Sequence, residues 1–194
     1  LRSSHSWAAD GREQTVEIGS LRLTSQPVGA MFDYLLDSEG QMYAARQSAF
    51  RGEMGIVGIG MNTLDLLVVR GGAPVQRFTA GETLGVRRLL ELTGWDKSLS
   101  LAERDSLLRS GRLPIGDMVP VWQSEVLGFI ESQWGEAFSR FDAIIATGGG
   151  SLLLKEVLTR RFKEKLYVSD DPVIATARGL HKYGLMAAKR KERG

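Results

Sequence analysis

Cysteine is absent, and histidine occurs only twice, at His5 and His181, in a chain of 194 residues. The first absence excludes disulfides and thiolate metal sites and fits a reducing compartment. The second leaves no histidine cluster for a metal, since the two rings stand near opposite ends of the chain. A strong charge of one sign is also missing. The net charge is only +2, so no whole-molecule field draws the chain to nucleic acid or to a membrane. No apolar run approaches the roughly 20 residues that span a bilayer, and the opening Leu1-Arg-Ser-Ser-His5 carries no secretory signal pattern. The expectation is a cytoplasmic chain without membrane contact, touching nucleic acid only indirectly if at all. No internal repeat or low-complexity segment is evident. What remains is the balance of a globular protein, 43% hydrophobic and 25% charged, long enough for one large domain or one domain with a small insert.

Glycine is plentiful, with 23 residues, and two glycine turns organise the reading. Around the first, Ile56, Val57 and Ile59 lead in and Leu64, Leu66, Leu67, Val68 and Val69 lead out, with Gly60, Met61, Asn62 and Thr63 between them. Glycine and asparagine tolerate positive φ, and such turns can aim successive N–H groups at one oxyanion. The plain alternative is an ordinary hairpin turn. Gly71-Gly72 supplies a two-residue turn to a third strand, giving an antiparallel meander over 55–79. The second glycine turn, Thr147-Gly-Gly-Gly150, follows a short apolar strand over 141–146 and opens a helix. A helix N-terminus there favours negative charge. The pattern is neither a P-loop nor a dinucleotide fingerprint, and a tight strand-to-helix connection is the plain alternative.

The remaining elements follow from spacing. Residues 1–13 read as polar and frayed, with Trp7 as a docking residue. Val16, Ile18, Leu21 and Leu23 read as strand interrupted at Gly19-Ser20. Pro27 fits the first position of a helix ending near 37–40, and residues 40–53 read as a loop or an irregular insert. A helix over 81–92 stops at Gly94, and Ser100 with Glu103 forms a capping box for a helix to about Arg109. Asp117 is expected to cap a long helix carrying Met118, Val121, Trp122, Val126, Phe129, Ile130 and Trp134. Leu166 to Val168 is a brief strand, and Pro172 opens a last helix from Val173 to about Lys189 with a basic tail over 189–193. Antiparallel strands first and strand–helix alternation later predict an α/β fold, a mixed sheet flanked by helices.

The order and spacing of these motifs resemble the second domain of the actin-like ATPases, the ribonuclease-H-like fold shared with sugar kinases and heat-shock chaperone ATPases. Gly60-Met-Asn-Thr-Leu-Asp65 is similar to the family's second phosphate motif, Ala146-Thr-Gly-Gly-Gly-Ser151 to its adenosine motif, and Gln26-Pro-Val-Gly-Ala30 to the helix start that carries a water-positioning residue. The stretch from Asp171 to Gly184 resembles the last helix of the plasmid-segregating, ParM-like branch. The resemblance implies a leader over 1–25 belonging to or abutting a missing first domain, a second domain over 26–194, and a small helical insert over about 95–116. It implies ATP and Mg²⁺ as cofactors, with Gly60, Met61, Asn62, Thr63, Gly148, Gly149 and Gly150 holding the nucleotide and Gln26 in the catalytic position. No protein metal ligand is assigned. Glu103 and Arg104 stand in the insert where members often contact ribose, although a solvated helix face is the plainer reading.

One position departs from the family pattern. The second phosphate motif opens with Asp where this chain has Gly58, and Asp65 is expected to point along the next strand rather than replace that carboxylate. The implied function is an ATP-binding domain of a possibly filament-forming ATPase in DNA segregation or cytoskeletal organisation, this chain alone being inactive. The alternative is a non-catalytic actin-fold scaffold, and a kinase of the same superfamily ranks third.

Overall fold

Side chains that alternate strictly from one face to the other build the sheet, and everything else is layered on those two faces. The computed structural model describes residues 3–19, 21, 23–94 and 98–192; Ser20, Arg193 and the first residues of the insert, 95–97, lie outside them. In chain order the elements are β1 (Ser4–Ala9), β2 (Arg12–Glu17), α1 (Gln26–Leu35), α2 (Gln47–Arg51), β3 (Glu53–Ile59), β4 (Leu64–Arg70), β5 (Ala73–Pro74), β6 (Ala80–Glu82), α3 (Val86–Leu92), α4 (Leu101–Arg109), α5 (Val119–Trp134), β7 (Ala143–Thr147), α6 (Gly150–Phe162), β8 (Leu166–Val168) and α7 (Ala175–Glu192). The main sheet runs β5–β4–β3–β7–β8, with β6 also paired to β4. β3 and β4 are antiparallel, whereas β3, β7 and β8 are parallel. The mixed α/β sheet flanked by helices is therefore present.

On one face Val57, Ile59, Leu64, Leu66, Val68, Ile144 and Ala146 are buried with side chains of α3, α5 and α6, including Trp122 and Trp134. On the other, Met54, Ile56, Leu67, Val69, Ala143 and Ile145 pack with α1. Strands covered on both sides read as nearly continuous apolar runs, as β3, β4 and β7 do. Trp122 and Trp134 each place the indole N–H on a backbone carbonyl, of Leu84 at 2.9 Å and of Phe78 at 3.2 Å, so neither buried donor is left unpaired.

Several boundaries differ from the sequence expectation. Residues 4–13 are not frayed; with the strand expected at Val16 they form an exposed antiparallel hairpin closed by Asp10 and Gly11, at φ of 51° and 72°. The residues after it, Leu21 and Leu23, are in no strand. The stretch 40–53 contains α2 and a 3₁₀ turn, not only loop. The third strand of the meander is broken into β5 and β6 by a 3₁₀ turn at Gln76–Phe78, which follows directly on the last ladder bond, from the Val75 N–H to the Val68 carbonyl at 2.8 Å. Asp117 does not cap α5. Met118 occupies the cap without a side-chain bond, Pro120 sits in the first turn, and the carbonyl of Ile115 accepts from both Met118 and Val119. The last helix starts at Ala175, because residues 172–174 turn around the Asp171 carboxylate, which accepts the Val173 N–H at 3.2 Å. The capping box at Ser100 is present as expected.

α7 lies against α1 at backbone distance. A Cβ on Gly179 would stand 1.8 Å from the Gly29 carbonyl oxygen, and one on Gly29 would stand 2.5 Å from that of Thr176. Both positions need glycine for lack of space. Gly184, further along the same helix, has nothing within 4 Å of such an atom. In urea unfolding, Gly179→Ala should therefore cost roughly 3 kcal/mol, whereas Gly184→Ala should add about 0.5–1 kcal/mol through helix propensity. Equal effects of the two substitutions would show that the helix contact is not what requires Gly179.

Candidate functional site

The turn between β3 and β4 is held by its carbonyl groups. The Gly60 N–H donates to the Thr63 carbonyl at 2.9 Å. The carbonyls of Gly60, Met61 and Asn62 accept from Val86, Arg87 and Gly85 at 3.0, 2.7 and 3.2 Å, tying the turn to the start of α3. Gly85 permits this approach, because a Cβ there would meet the Met61 oxygen at 2.6 Å. With the carbonyls committed to α3, the N–H groups of Met61, Asn62 and Thr63 have no acceptor among the described residues. Amides in that state are ready donors for an anion.

The second glycine turn meets the first at the end of β3. Gly148 has φ of 84°, its N–H donates to Pro172 at 2.8 Å, and a Cβ on it would fall 2.3 Å from the Ile59 oxygen. A Cβ on Gly150 would fall 2.3 Å from the Ile59 side chain. These two glycines are required by packing. Gly149 is different: its φ and ψ are helical, −59° and −32°, and the nearest atom to a Cβ is a Val173 methyl at 3.7 Å. It is exposed at the N-terminus of α6.

Both turns open on one cleft of about 840 Å³. Of the residues singled out from sequence, Gln26, Gly60, Met61, Thr63, Gly148, Gly149 and Gly150 line it; Asn62 does not. Leu108 and Ile115 bring an apolar wall from α4 and the segment after it, and Leu152 of α6, Val173 of the turn before α7 and Leu180 of α7 form an apolar lip. Sequence reasoning missed Asp105 and Arg109, which reach the cleft and pair at 2.8 Å; their only signal was opposite charge four residues apart. Glu103 instead closes the capping box, its carboxylate accepting the Ser100 N–H at 2.7 Å. Arg104 is not among the lining residues. Asp65 also corrects the expectation. It is the cross-strand partner of Gly58 and lines the same cleft.

Gln26 reaches the cleft because α1 is fixed against α7. Asp33, 4% exposed, accepts from Arg178 at 2.6 Å on each carboxylate oxygen and from Lys182 at 2.8 Å. Lys182 also donates to the Asp33 carbonyl at 3.0 Å, and Ser169 accepts from Arg178 at 2.5 Å. Burial pushes the Asp33 carboxyl up, but the bonds and charges of Arg178 and Lys182 outweigh it and hold the group below its ordinary value. Phe32 stacks on Tyr183 with ring centres 4.4 Å apart. Gln26 sits on α1 two turns before Asp33, and the first turns of α7 supply Thr176, Ala177 and Leu180 to the cleft.

No protein-family model and no curated protein sequence matches the chain. Solved structures do. The apo pSK41 ParM protein is similar with a TM-score of 0.72 at 18% identity, over 98% of this chain and 57% of its own. Ta0583, an archaeal actin homologue also solved in complex with ADP, matches with 0.68 at 18% identity over 97% and 63%. The Alp12 filament structure matches with 0.66 at 16% identity over 97% and 61%. The chain has the actin-like fold. Within that fold, its neighbours include proteins of the ParM type, and it spans 57% to 63% of the length of these three chains. No helix among the described residues is long and apolar enough to cross a membrane.

The carboxylate of Asp33 has a lowered pKa, so its contribution to stability is complete above the unfolded value of about 3.9 and is lost as pH falls through the folded value. Asp33→Asn should cost roughly 3 kcal/mol at pH 7, by leaving Arg178 and Lys182 without their anion. Urea unfolding from pH 7 to pH 3 should show that difference narrowing below about pH 4. A constant difference would mean that the charge on Asp33 is not what holds α1 to α7.

Proposed function

We propose that this chain is the second domain of an actin-like ATPase and that its cleft binds ATP. The observation that carries the reading is the meeting of two glycine turns at the end of β3, one with three uncommitted amides and the other with an open Gly149 at a helix N-terminus. Phosphates fit the amides of Met61, Asn62 and Thr63. Adenosine fits the other end, where Gly149 admits close approach and Leu108, Ile115 and Leu153 offer apolar surface. The ADP complex of Ta0583 supports a nucleotide in this fold.

Residues 1–25 fit a leader that abuts the first domain, since every residue of β1 and β2 is exposed; residues 26–194 are the second domain. Gln26, an amide without a useful base, would orient an attacking water at the phosphate end. Gly58 provides no carboxylate there, so hydrolysis by this chain alone is weak or absent. The residues present fit Mg²⁺ in one respect: Asp65 faces the cleft next to the phosphate turn. A bound Mg²⁺ would neutralise phosphate charge. Filaments of Alp12 support self-assembly as the wider role, in DNA segregation or cytoskeletal organisation within the cytoplasm. A second reading, a non-catalytic actin-fold scaffold, is favoured by Gly58 alone.

Gly149→Val tests the site without disturbing the turn, because the backbone is helical there and the space is open. A fluorescent ATP analogue should bind the parent chain, and the substitution should weaken it roughly tenfold or more, a loss of about 1.4 kcal/mol. Unchanged binding would remove the glycine turn from the site. No binding of either protein at millimolar nucleotide would support the scaffold.

A further inference from the structure

We infer that Ser169 is a positioning residue of this cleft, the link through which the buried Asp33–Arg178 pair sets the opening beside Gly149. The role rests on the nucleotide reading above and concerns its adenosine end. Ser169 is not among the residues that line the cleft. It acts through the five residues that follow it.

Ser169 is fixed from two sides. Its backbone directly follows β8, whose Val168 pairs with Ala146 of β7, so the sheet holds it. Its side chain is held by α7: Arg178 Nη2 donates to the hydroxyl oxygen at 2.5 Å, while the same guanidinium bonds both carboxylate oxygens of Asp33. The hydroxyl stands 3.4 Å from Asp33 Oδ2 and 3.5 Å from the Asp171 carbonyl oxygen. At 6% exposure, little water is at hand to replace a lost partner.

The segment 170–174 bridges from that cluster to the second glycine turn. The carbonyl of buried Pro172 accepts the Gly148 N–H at 2.8 Å and the Thr147 hydroxyl at 3.2 Å. Two donors on one oxygen tie it to the end of β7. Arg178 holds both ends of the segment, Ser169 through its side chain and the Ile174 carbonyl through its own N–H at 2.9 Å. The proline ring fixes φ between those ends, and the Asp171 carboxylate closes the turn on the Val173 N–H. The bridge therefore has little slack to absorb a shift. Val173 is carried on it and lines the cleft, with a methyl 3.7 Å from the place of a Cβ on Gly149. A displaced Ser169 would carry the Pro172 carbonyl and Val173 with it and change the space beside Gly149. The carbonyls of the first turn bond α3 instead, which confines the effect to one end of the cleft.

The experiment displaces a fluorescent ATP analogue with two competitors, ATP and inorganic tripolyphosphate, which has no adenosine. Thermal melting first establishes that each variant is folded. Ser169→Ala should weaken ATP roughly three- to tenfold and leave tripolyphosphate unchanged, a split that a general loosening of the fold would not produce. Arg178→Lys keeps a cation for Asp33 without the planar fork that also reaches Ser169, and should show the same selective loss. In a Gly149→Ala background, Ser169→Ala should add less than its loss in the parent, because both changes act on one opening. If Ser169→Ala leaves ATP affinity unchanged, lowers ATP and tripolyphosphate alike, or adds its full loss to that of Gly149→Ala, the positioning role is overturned while the nucleotide reading stands. Absence of ATP binding by the parent chain would overturn the reading itself, and this inference with it.

Discussion

One buried ion pair decides where the cleft can be. Asp33 gathers Arg178, Lys182 and Ser169 across 136 to 149 residues of chain, and it does so at a helix crossing too close for any side chain at Gly29 or Gly179. Charge pairing at low exposure tolerates little variation in geometry, because each lost bond leaves a charge without solvent. The two glycines remove the side chains that would hold the helices apart. Together they make α1 and α7 one layer. Gln26 at the start of α1 and Thr176 near the start of α7 consequently face the same space.

The glycines around the cleft are of two kinds. Gly85, Gly148 and Gly150 are glycine because backbone or side-chain atoms occupy the Cβ position. Gly58 and Gly149 are not: the space beside them is open and belongs to the cleft. Only the second kind leaves room that a ligand or a new side chain can use. Sequence alone cannot separate them, since all five are the same residue in similar runs.

What was legible followed from local rules. The short apolar runs of β3, β4 and β7, the Gly71-Gly72 turn and the Ser100 capping box all act over a few residues, and all are present in the structure. The order of the motifs was enough to anticipate the mixed sheet and the actin-like fold. Interactions of long range were not legible. Asp33 reads as an ordinary polar position on an amphipathic helix until Arg178 is brought beside it. Asp117 has the residue type of a helix cap, but Pro120 and the Ile115 carbonyl move the helix start past it. The exposed hairpin was missed because β1 and β2 lack the apolar alternation that marks a half-buried strand.

Asp65 shows how one undetermined register changes a chemical conclusion. Read residue by residue, it lies seven positions beyond Gly58, on the far side of a turn. The bond from the Gly60 N–H to the Thr63 carbonyl closes that turn, Ile59 then pairs with Leu64, and Gly58 must pair with Asp65. The same closure goes with the carbonyls of the turn bonding the start of α3, while its amides at Met61, Asn62 and Thr63 have no acceptor among the described residues. A carboxylate and a set of anion donors thus arrive together as consequences of a single hairpin geometry. Their opposite preferences meet in one small space because turn closure and strand register are fixed by the same backbone bond.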